Sequence, residues 1–564
     1  MSKLKIPPNI IGTDNADLIQ GIDENVDYQQ NDIEFIGIQV LTNGIIDTRS
    51  GDDTINGEGR GSYSSKGTGI SNSGTIKTGS GNDTITGTGN GWSSGPLSGT
   101  GIFNSGTIET GLGNDSIIGK GDAAGSSSGT GIFNSGTIKT GLENDTILGE
   151  GEGGFGFSNG VGIDNSGTIE TGSGNDTITG TGNGGGAPKY YAPGIGILNT
   201  TTGIISAGGG NDTITGTGQG GDTKGIGISN QGKISGDAGS DNIKGIGIGE
   251  FYGGDGIGIL SSGSISGGTG NDSLMGTGTG GDDIFGGTGG DGIGISNTGK
   301  IDGNAGKDSI VGTGTGVQVS YILGDRTNVG GDGIGISNTG SISGGSEDDL
   351  ISGIGTGGKG AQDNGFEGNF VGPGGEGIGI ANTSELSAGN GNDVLTGIGI
   401  GGIGKPGSNG RGVGISNTGT GRISAGNGND QIIGYGTTVG IEGNGVNVVG
   451  IDGGTGDDLF KARKISGLNA QDNPIESANQ DGAVANIFIS AGNGNDSFDL
   501  GFGSAKLSGG QGYDTLLLPV LGTGSYSIGK PDVNGWLQIT NTASVNVLSV
   551  SSIEHILSGG VTLV

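Results

Sequence analysis

One aspartate recurs along the chain in the same local setting, with an apolar residue two positions after it. It stands at Asp17, Asp53, Asp83, Asp115, Asp145, Asp176, Asp212, Asp241, Asp272, Asp308, Asp349, Asp393, Asp430, Asp458, Asp496 and Asp514. Carboxylates repeated at one position of a stacked repeat come within about 5 Å of one another. That costs roughly 1 kcal/mol per neighbour even at water-like dielectric. Lys and Arg do not track these positions. Two chemistries answer such a column. A hard divalent cation, calcium above all, takes oxygens from carboxylates and backbone carbonyls. Alternatively, the Asp side chain caps its own turn.

The same residue types count against an enzyme. The one histidine is His555, near the end of the chain, and there is no cysteine. The repeat region therefore offers no Ser-His or Cys-His pair. Lys461, Arg463 and Lys464 form the one tight basic group, and a polysaccharide-active enzyme is the reading such a group leaves open. A net charge of -33 disfavours nucleic acid and anionic membrane and favours cations. No apolar run reaches the length of a membrane span.

The elements that hold the aspartates repeat as well. Segments 69–87, 101–119, 131–149 and 162–180 are copies of one unit, and their aspartates are spaced 32, 30 and 31 residues apart. A period in this range means a solenoid. Each unit reads as three short strands: Gly-Ile-Gly-Ile, Gly-Thr-Ile-Lys and Asp-Thr-Ile-Thr. Alternation turns Ile inward and the small polar residues outward. Asn72, Asn104, Asn134, Asn165, Asn230, Asn297 and Asn338 sit at the first joint, where Asn tolerates a left-handed turn. Gly-x-Gly-Asn makes the second joint, and a loop of variable length closes the unit. Gly supplies 145 of 564 residues, so the core must be thin. On the outer face of the second strand, Asp47, Lys77, Glu109, Lys139 and Glu170 alternate in sign, as an ion-pair ladder between stacked coils would.

Some of these stretches carry a recognisable nonapeptide, Gly-Gly-x-Gly-x-Asp-x-apolar-x. Gly267 to Met275, with Asp272, fits it. So do the stretch from Gly286 to Gly294 with Asp291, the one from Gly453 with Asp458, and the one from Gly509 with Asp514; Asp283 marks an imperfect copy. The pattern resembles the RTX (haemolysin-type calcium-binding) family. The resemblance implies calcium between stacked half-turns, with Asp272/Asp291 and Asp496/Asp514 as pairs and Gly267 and Gly509 beside them. Most coils depart from that family, with one aspartate per ~30 residues. There, calcium at Asp53, Asp83, Asp115, Asp145, Asp176, Asp212, Asp308, Asp393 and Asp430 stands beside plain turn capping. The Asn-x-Gly half of the unit is similar to right-handed β-helix passenger domains of bacterial surface proteins.

The expected architecture is all-β, a right-handed parallel β-solenoid. Residues 1–40 read as an N-terminal cap, 41–515 as the solenoid and 516–564 as a β-rich C-terminal cap. The tail motif Ile553-Glu-His-Ile556 resembles the end of RTX proteins, where it implies an uncleaved type I secretion signal. Met1 to Ile11 lacks the apolar core of a signal peptide. The expected protein is thus a secreted, non-enzymatic, calcium-binding structural or cell-surface component. The alternative is an adhesin binding surface polysaccharide or other surface proteins through loop aromatics: Trp92, Phe155, Phe157, Tyr190, Tyr191, Phe251, Tyr252, Phe366 and Phe370.

Overall fold

A computed structural model describes residues 3–24, 34–61, 65–92, 98–154, 158–185, 192–220, 223–283, 287–319, 328–361, 372–521 and 525–564. The chain forms two compact units, Met1–Asp282 and Asp283–Val564. Among the described residues, regular structure is β throughout, apart from one 3-10 turn at Phe251–Gly253.

The first unit is a parallel β-solenoid of three strands per coil, as the repeat predicts. In one coil these are Gly99–Asn104, Thr107–Leu112 and Ser116–Ala123. Each pairs in parallel with its counterpart one coil away, identical residue on identical residue. Ile102 lies on Ile132, Ile108 on Ile138 and Ile117 on Ile147. These three Ile are fully buried in coil after coil. Burying each one contributes about 1.5–3 kcal/mol, and together they form the apolar half of the core.

Glycine forms the other half. Gly101 of the first strand faces Gly119 and the Lys120 amide of the third strand, and a Cβ on Gly101 would collide with that backbone. Gly131 meets Gly149 and Glu150 in the same way. The two strands touch backbone to backbone, so this side of the coil has no room for side chains. The glycine content is thus a packing surface as well as turn chemistry.

The joint asparagines do not make left-handed turns. Asn72, Asn104, Asn134 and Asn165 are the last residues of their first strands, buried and extended. Each Nδ2 donates to Oδ1 of the Asn in the next coil, at 2.8 Å from Asn72, Asn104 and Asn134 and 2.9 Å from Asn165 to Asn199. The ladder continues to Asn230, whose Nδ2 donates to the Ser261 hydroxyl. Stacked amides fix the register between coils. The left-handed positions are the glycines of the second joint, such as Gly79 (φ 104°) and Gly81 (φ 130°).

Residues 4–24, expected as part of a cap, already form a coil. Leu4–Ile6, Ile10–Ile11 and Leu18–Glu24 pair in parallel with the three strands that follow. Pro7 and Pro8 occupy this terminal coil, where missing donors discourage further pairing.

The second unit repeats the plan. Ile295, Ile336, Ile380, Ile415 and Ile441 stack in one column. Asn297, Asn338, Asn382 and Asn417 form its amide ladder at 2.8–2.9 Å. Phe460 and Phe498 replace Ile in the third-strand column and stack at 5.2 Å. Towards the C-terminus, Thr515–Leu518 receives His555–Ser558 in parallel. Tyr526–Ile528, Leu537–Asn541 and Val547–Ser551 add an antiparallel meander.

Candidate functional site

The marker aspartates fall where the second joint meets the third strand, and they point into the coil. Asp53, Asp83, Asp115, Asp145, Asp176, Asp212, Asp241 and Asp272 in the first unit are 1–3% exposed. Asp308, Asp349, Asp393, Asp430, Asp458, Asp496 and Asp514 in the second are 0–3% exposed. A lone surface repeat of acids would be solvated; this is a buried column of carboxyls in each unit.

One oxygen of each carboxyl has a structural duty. In the first unit the amide N–H of each Asp donates to Oδ1 of the Asp one coil on, at 2.7–2.8 Å from Asp17 through Asp272. In the second unit the same chain runs from Asp308 to Asp514 at 2.7–2.9 Å. It ends when the Asp514 amide donates to Glu554 Oε2 at 2.8 Å. The Glu of the tail motif therefore closes the ladder, and His555 beside it contacts the Tyr513 hydroxyl at 2.5 Å. On the outside, the residue before each Asp builds a second ladder of opposite sense. The Asn114 amide donates to Asn82 Oδ1 and the Asn144 amide to Asn114 Oδ1. The bonds within the Asp column tie each coil to its neighbour instead of capping the residue's own turn, and they use half of each carboxyl.

The other oxygen has no such duty. Among the described residues, Oδ2 is buried without a hydrogen-bond partner at Asp53, Asp83, Asp115, Asp145, Asp176, Asp212 and Asp241, and at Asp349, Asp393, Asp430, Asp458, Asp496 and Asp514. An unpartnered charged oxygen in the interior is costly. Burial accordingly pushes Asp83, Asp176, Asp241, Asp430 and Asp514 up from the ordinary carboxylate range. Asp115, Asp393 and Asp496 reach about 6, and Asp145, Asp212, Asp349 and Asp458 about 7; hydrogen bonds to the carboxyl oppose the rise and neighbouring Asp charges add to it.

What lies beside Oδ2 depends on the residue five positions earlier. It is Thr at Thr48, Thr78, Thr110, Thr140 and Thr171, and Ala at Ala207, Ala388, Ala425 and Ala491. It is Gly at Gly236, Gly267, Gly303, Gly344, Gly453 and Gly509. A Cβ on Gly236 would collide with Asp241 Oδ2 and the Gly267 carbonyl. On Gly344 it would meet Asp349 Oδ2 and the Ala388 carbonyl, on Gly453 Asp458 Oδ2 and the Ala491 carbonyl, and on Gly509 Asp514 Oδ2 and the Ser552 carbonyl. These glycines leave a cradle lined by a carboxylate oxygen and a carbonyl oxygen, the hard donors calcium prefers. Thr and Ala fill the same space. Gly267 and Gly509 occupy the cradle position before Asp272 and Asp514.

Two sequence candidates stand elsewhere. Asp291 precedes the first strand Gly292–Asn297, where its Oδ1 accepts the Asp332 amide at 2.7 Å; Asp332 Oδ1 accepts the Glu376 amide likewise. Asp283 lies in the connection before it, with its Oδ2 close against Gly287. Neither is at the second joint, because the glycine-rich stretch around them leads into a first strand. Asp496 and Asp514 do stack on adjacent coils, 18 residues apart. Composition located the aspartates, but only the geometry shows that Asp241 and Asp349 belong with the glycine-cradled group. Their cradle glycines, Gly236 and Gly344, were the available signal.

Other sequence features find places too. The ion-pair ladder forms, with Lys77 to Glu109 and Lys139 to Glu170 both at 2.7 Å. Lys461 and Arg463 pair with Glu476 and Asp499. Trp92 is exposed and Tyr252 lies in the 3-10 turn. Phe155, Phe157, Tyr190, Tyr191, Phe366, Phe370 and the Phe251 side chain lie outside the described residues.

No helix among the described residues is long and apolar enough to cross a membrane. No family model matches the chain, and no curated protein does. Among solved structures the chain is similar to a hyperactive, Ca2+-dependent, β-helical antifreeze protein from an Antarctic bacterium. The identity is 14%, over 97% of this chain and 93% of that one, with a TM-score of 0.27.

Proposed function

We propose that the protein is a non-catalytic structural protein whose glycine-cradled solenoid coils are stabilised by calcium. One observation carries the reading: in a buried column of carboxyls, Oδ2 of Asp241, Asp349, Asp458 and Asp514 is left over after Oδ1 has accepted the neighbouring coil's amide. Asp241, Asp349, Asp458 and Asp514, with Asp272 at the equivalent place, would hold the ion together with the carbonyls facing them. Bound calcium supplies the positive charge that lets the acids ionise inside the fold. The chain's own part is to present oxygens and exclude competing donors. Calcium is plentiful outside cells, so the protein belongs in a secreted or surface-attached setting, with the C-terminal strands as its export signal.

The test is luminescence of terbium, a calcium surrogate, bound to full-length protein and displaced by calcium. Asp349→Asn and Asp458→Asn keep an oxygen to accept the neighbouring coil's amide and remove the charge. Each should lower the number of bound ions, with little change in β-signal by circular dichroism. Undiminished terbium binding in both variants would remove these sites from the reading.

A further inference from the structure

Thr78, Thr110 and Thr140 stand five residues before Asp83, Asp115 and Asp145 and are fully buried. Their hydroxyls donate to carbonyls of the next coil: Thr78 to Thr110 at 3.1 Å, Thr110 to Thr140 at 3.0 Å and Thr140 to Thr171 at 2.9 Å. A hydroxyl has one proton, so the neighbouring carboxyl is offered lone pairs only. Each Oδ1 already accepts an amide from the previous coil, and each Oδ2 is buried with no donor. An ionised carboxylate here sets acceptor against acceptor. A neutral acid removes the conflict. Its Oδ2–H donates to the Thr hydroxyl, which donates to the carbonyl beyond, and every polar atom of the chain is satisfied.

We propose that the threonine coils are built to hold a proton where the glycine coils hold a metal ion. Asp83, Asp115 and Asp145 are neutral carboxylic acids in the folded protein at mildly acidic pH, and raising the pH forces them to ionise against the fold. The residue five positions before the aspartate selects the occupant: Thr selects a proton and Gly a cation. The cation half rests on the function proposed above; the proton half does not. The charged groups acting on these acids are themselves acidic. They are Asp52 and Asp53 for Asp83, Asp83 and Glu143 for Asp115, and Asp115 and Asp176 for Asp145. Burial, the largest effect, and these like charges favour the protonated form, while hydrogen bonding with the Thr hydroxyl and from the neighbouring amide opposes it; the net direction is upward.

Asparagine copies the neutral acid, with a carbonyl that accepts and an amide that donates. The test is hydrogen exchange over residues 101–149 of full-length protein in chelator, corrected for intrinsic rates. Asp115→Asn should slow local exchange at pH 8 by about tenfold or more, and match wild type at pH 5. Equal or faster exchange at pH 8 would overturn the proposal, because the ionised form would then be the one the fold needs. Thr110→Val, which deletes the acceptor of the acid proton, should speed exchange at pH 5; an unchanged rate counts against it. Adding calcium at pH 8 should slow exchange around Asp349 and Asp458 and leave 101–149 as it was. Slowing at 101–149 that Asp115→Asn abolishes would place the metal in the threonine coils and refute the selection rule. A wild-type protein with no calcium response anywhere removes the calcium reading, and the two chelator comparisons still decide the proton half.

Discussion

A single residue in each coil decides how the turn is built. The second joint needs a positive φ, and glycine fills it at Gly79, Gly111, Gly141 and Gly172. Arg49 holds the equivalent place with φ 74°, a region that costs a side-chain-bearing residue roughly 1–2 kcal/mol. Arg49→Gly should therefore stabilise the protein by about 0.5–1 kcal/mol after the entropy of glycine is counted; chemical denaturation measures it, and destabilisation would show that the Arg side chain does unrecognised work. The ion pairs weigh less. Lys77 and Glu109 are both about half exposed, so Glu109→Gln should change stability by less than about 1 kcal/mol. At this scale the sequence was readable for type and partly for role. The alternating charges and the aspartates stood out by repetition. The direction of the Asp side chains did not, because an acid beside a turn glycine reads equally well as exposed. Asp291 shows the converse: it matches the nonapeptide yet caps a first strand.

Strands and their ladders carry the cohesion of each coil. The backbone-to-backbone contact at Gly131 leaves no space for a methyl group. Gly131→Ala should cost about 2–4 kcal/mol by overpacking, whereas Gly125→Ala, with open space around it, should cost less, its strain coming only from φ 73°. The amide ladder is the second support. Asn134→Ala would remove the acceptor of the Asn104 amide and the donor to Asn165 Oδ1. Leaving buried groups unpaired costs about 1–3 kcal/mol each. Local hydrogen exchange of the strands at 99–104 and 160–165 should rise in that variant; unchanged protection would mean the ladder is dispensable. Strand number and inward Ile follow from alternation alone. The flat glycine contact does not, since periodicity shows which side a glycine faces but not how closely another backbone approaches.

At the scale of the whole molecule, the buried carboxyls set an unusual pH dependence. Most proteins lose stability in acid because ionised, paired carboxylates must be protonated. Here the folded-state pKa values are raised, to about 6 at Asp115, Asp393 and Asp496 and about 7 at Asp145, Asp212, Asp349 and Asp458. The folded protein therefore holds more protons than the unfolded chain between about pH 4 and 7. Stability that is fully present below the unfolded pKa is lost as pH rises through that window, with each titrating acid contributing up to about 1.4 kcal/mol per pH unit. On the proposed function, a bound cation would replace the missing protons and restore stability at neutral pH. The solenoid class was legible from period and composition. The proposed division between proton-holding and cation-holding coils rests on the residue five positions before each aspartate, and only stacking brings that residue against Oδ2. The most direct measurement is thermal unfolding of the full-length protein in chelator at pH 5 and pH 8, repeated at pH 8 with calcium. The predicted result is a higher midpoint at pH 5 than at pH 8, with calcium recovering much of the difference. A midpoint in chelator that is higher at pH 8 would mean the buried column is content as charged carboxylates, and would contradict the need for neutralisation on which both the calcium and the proton assignments stand.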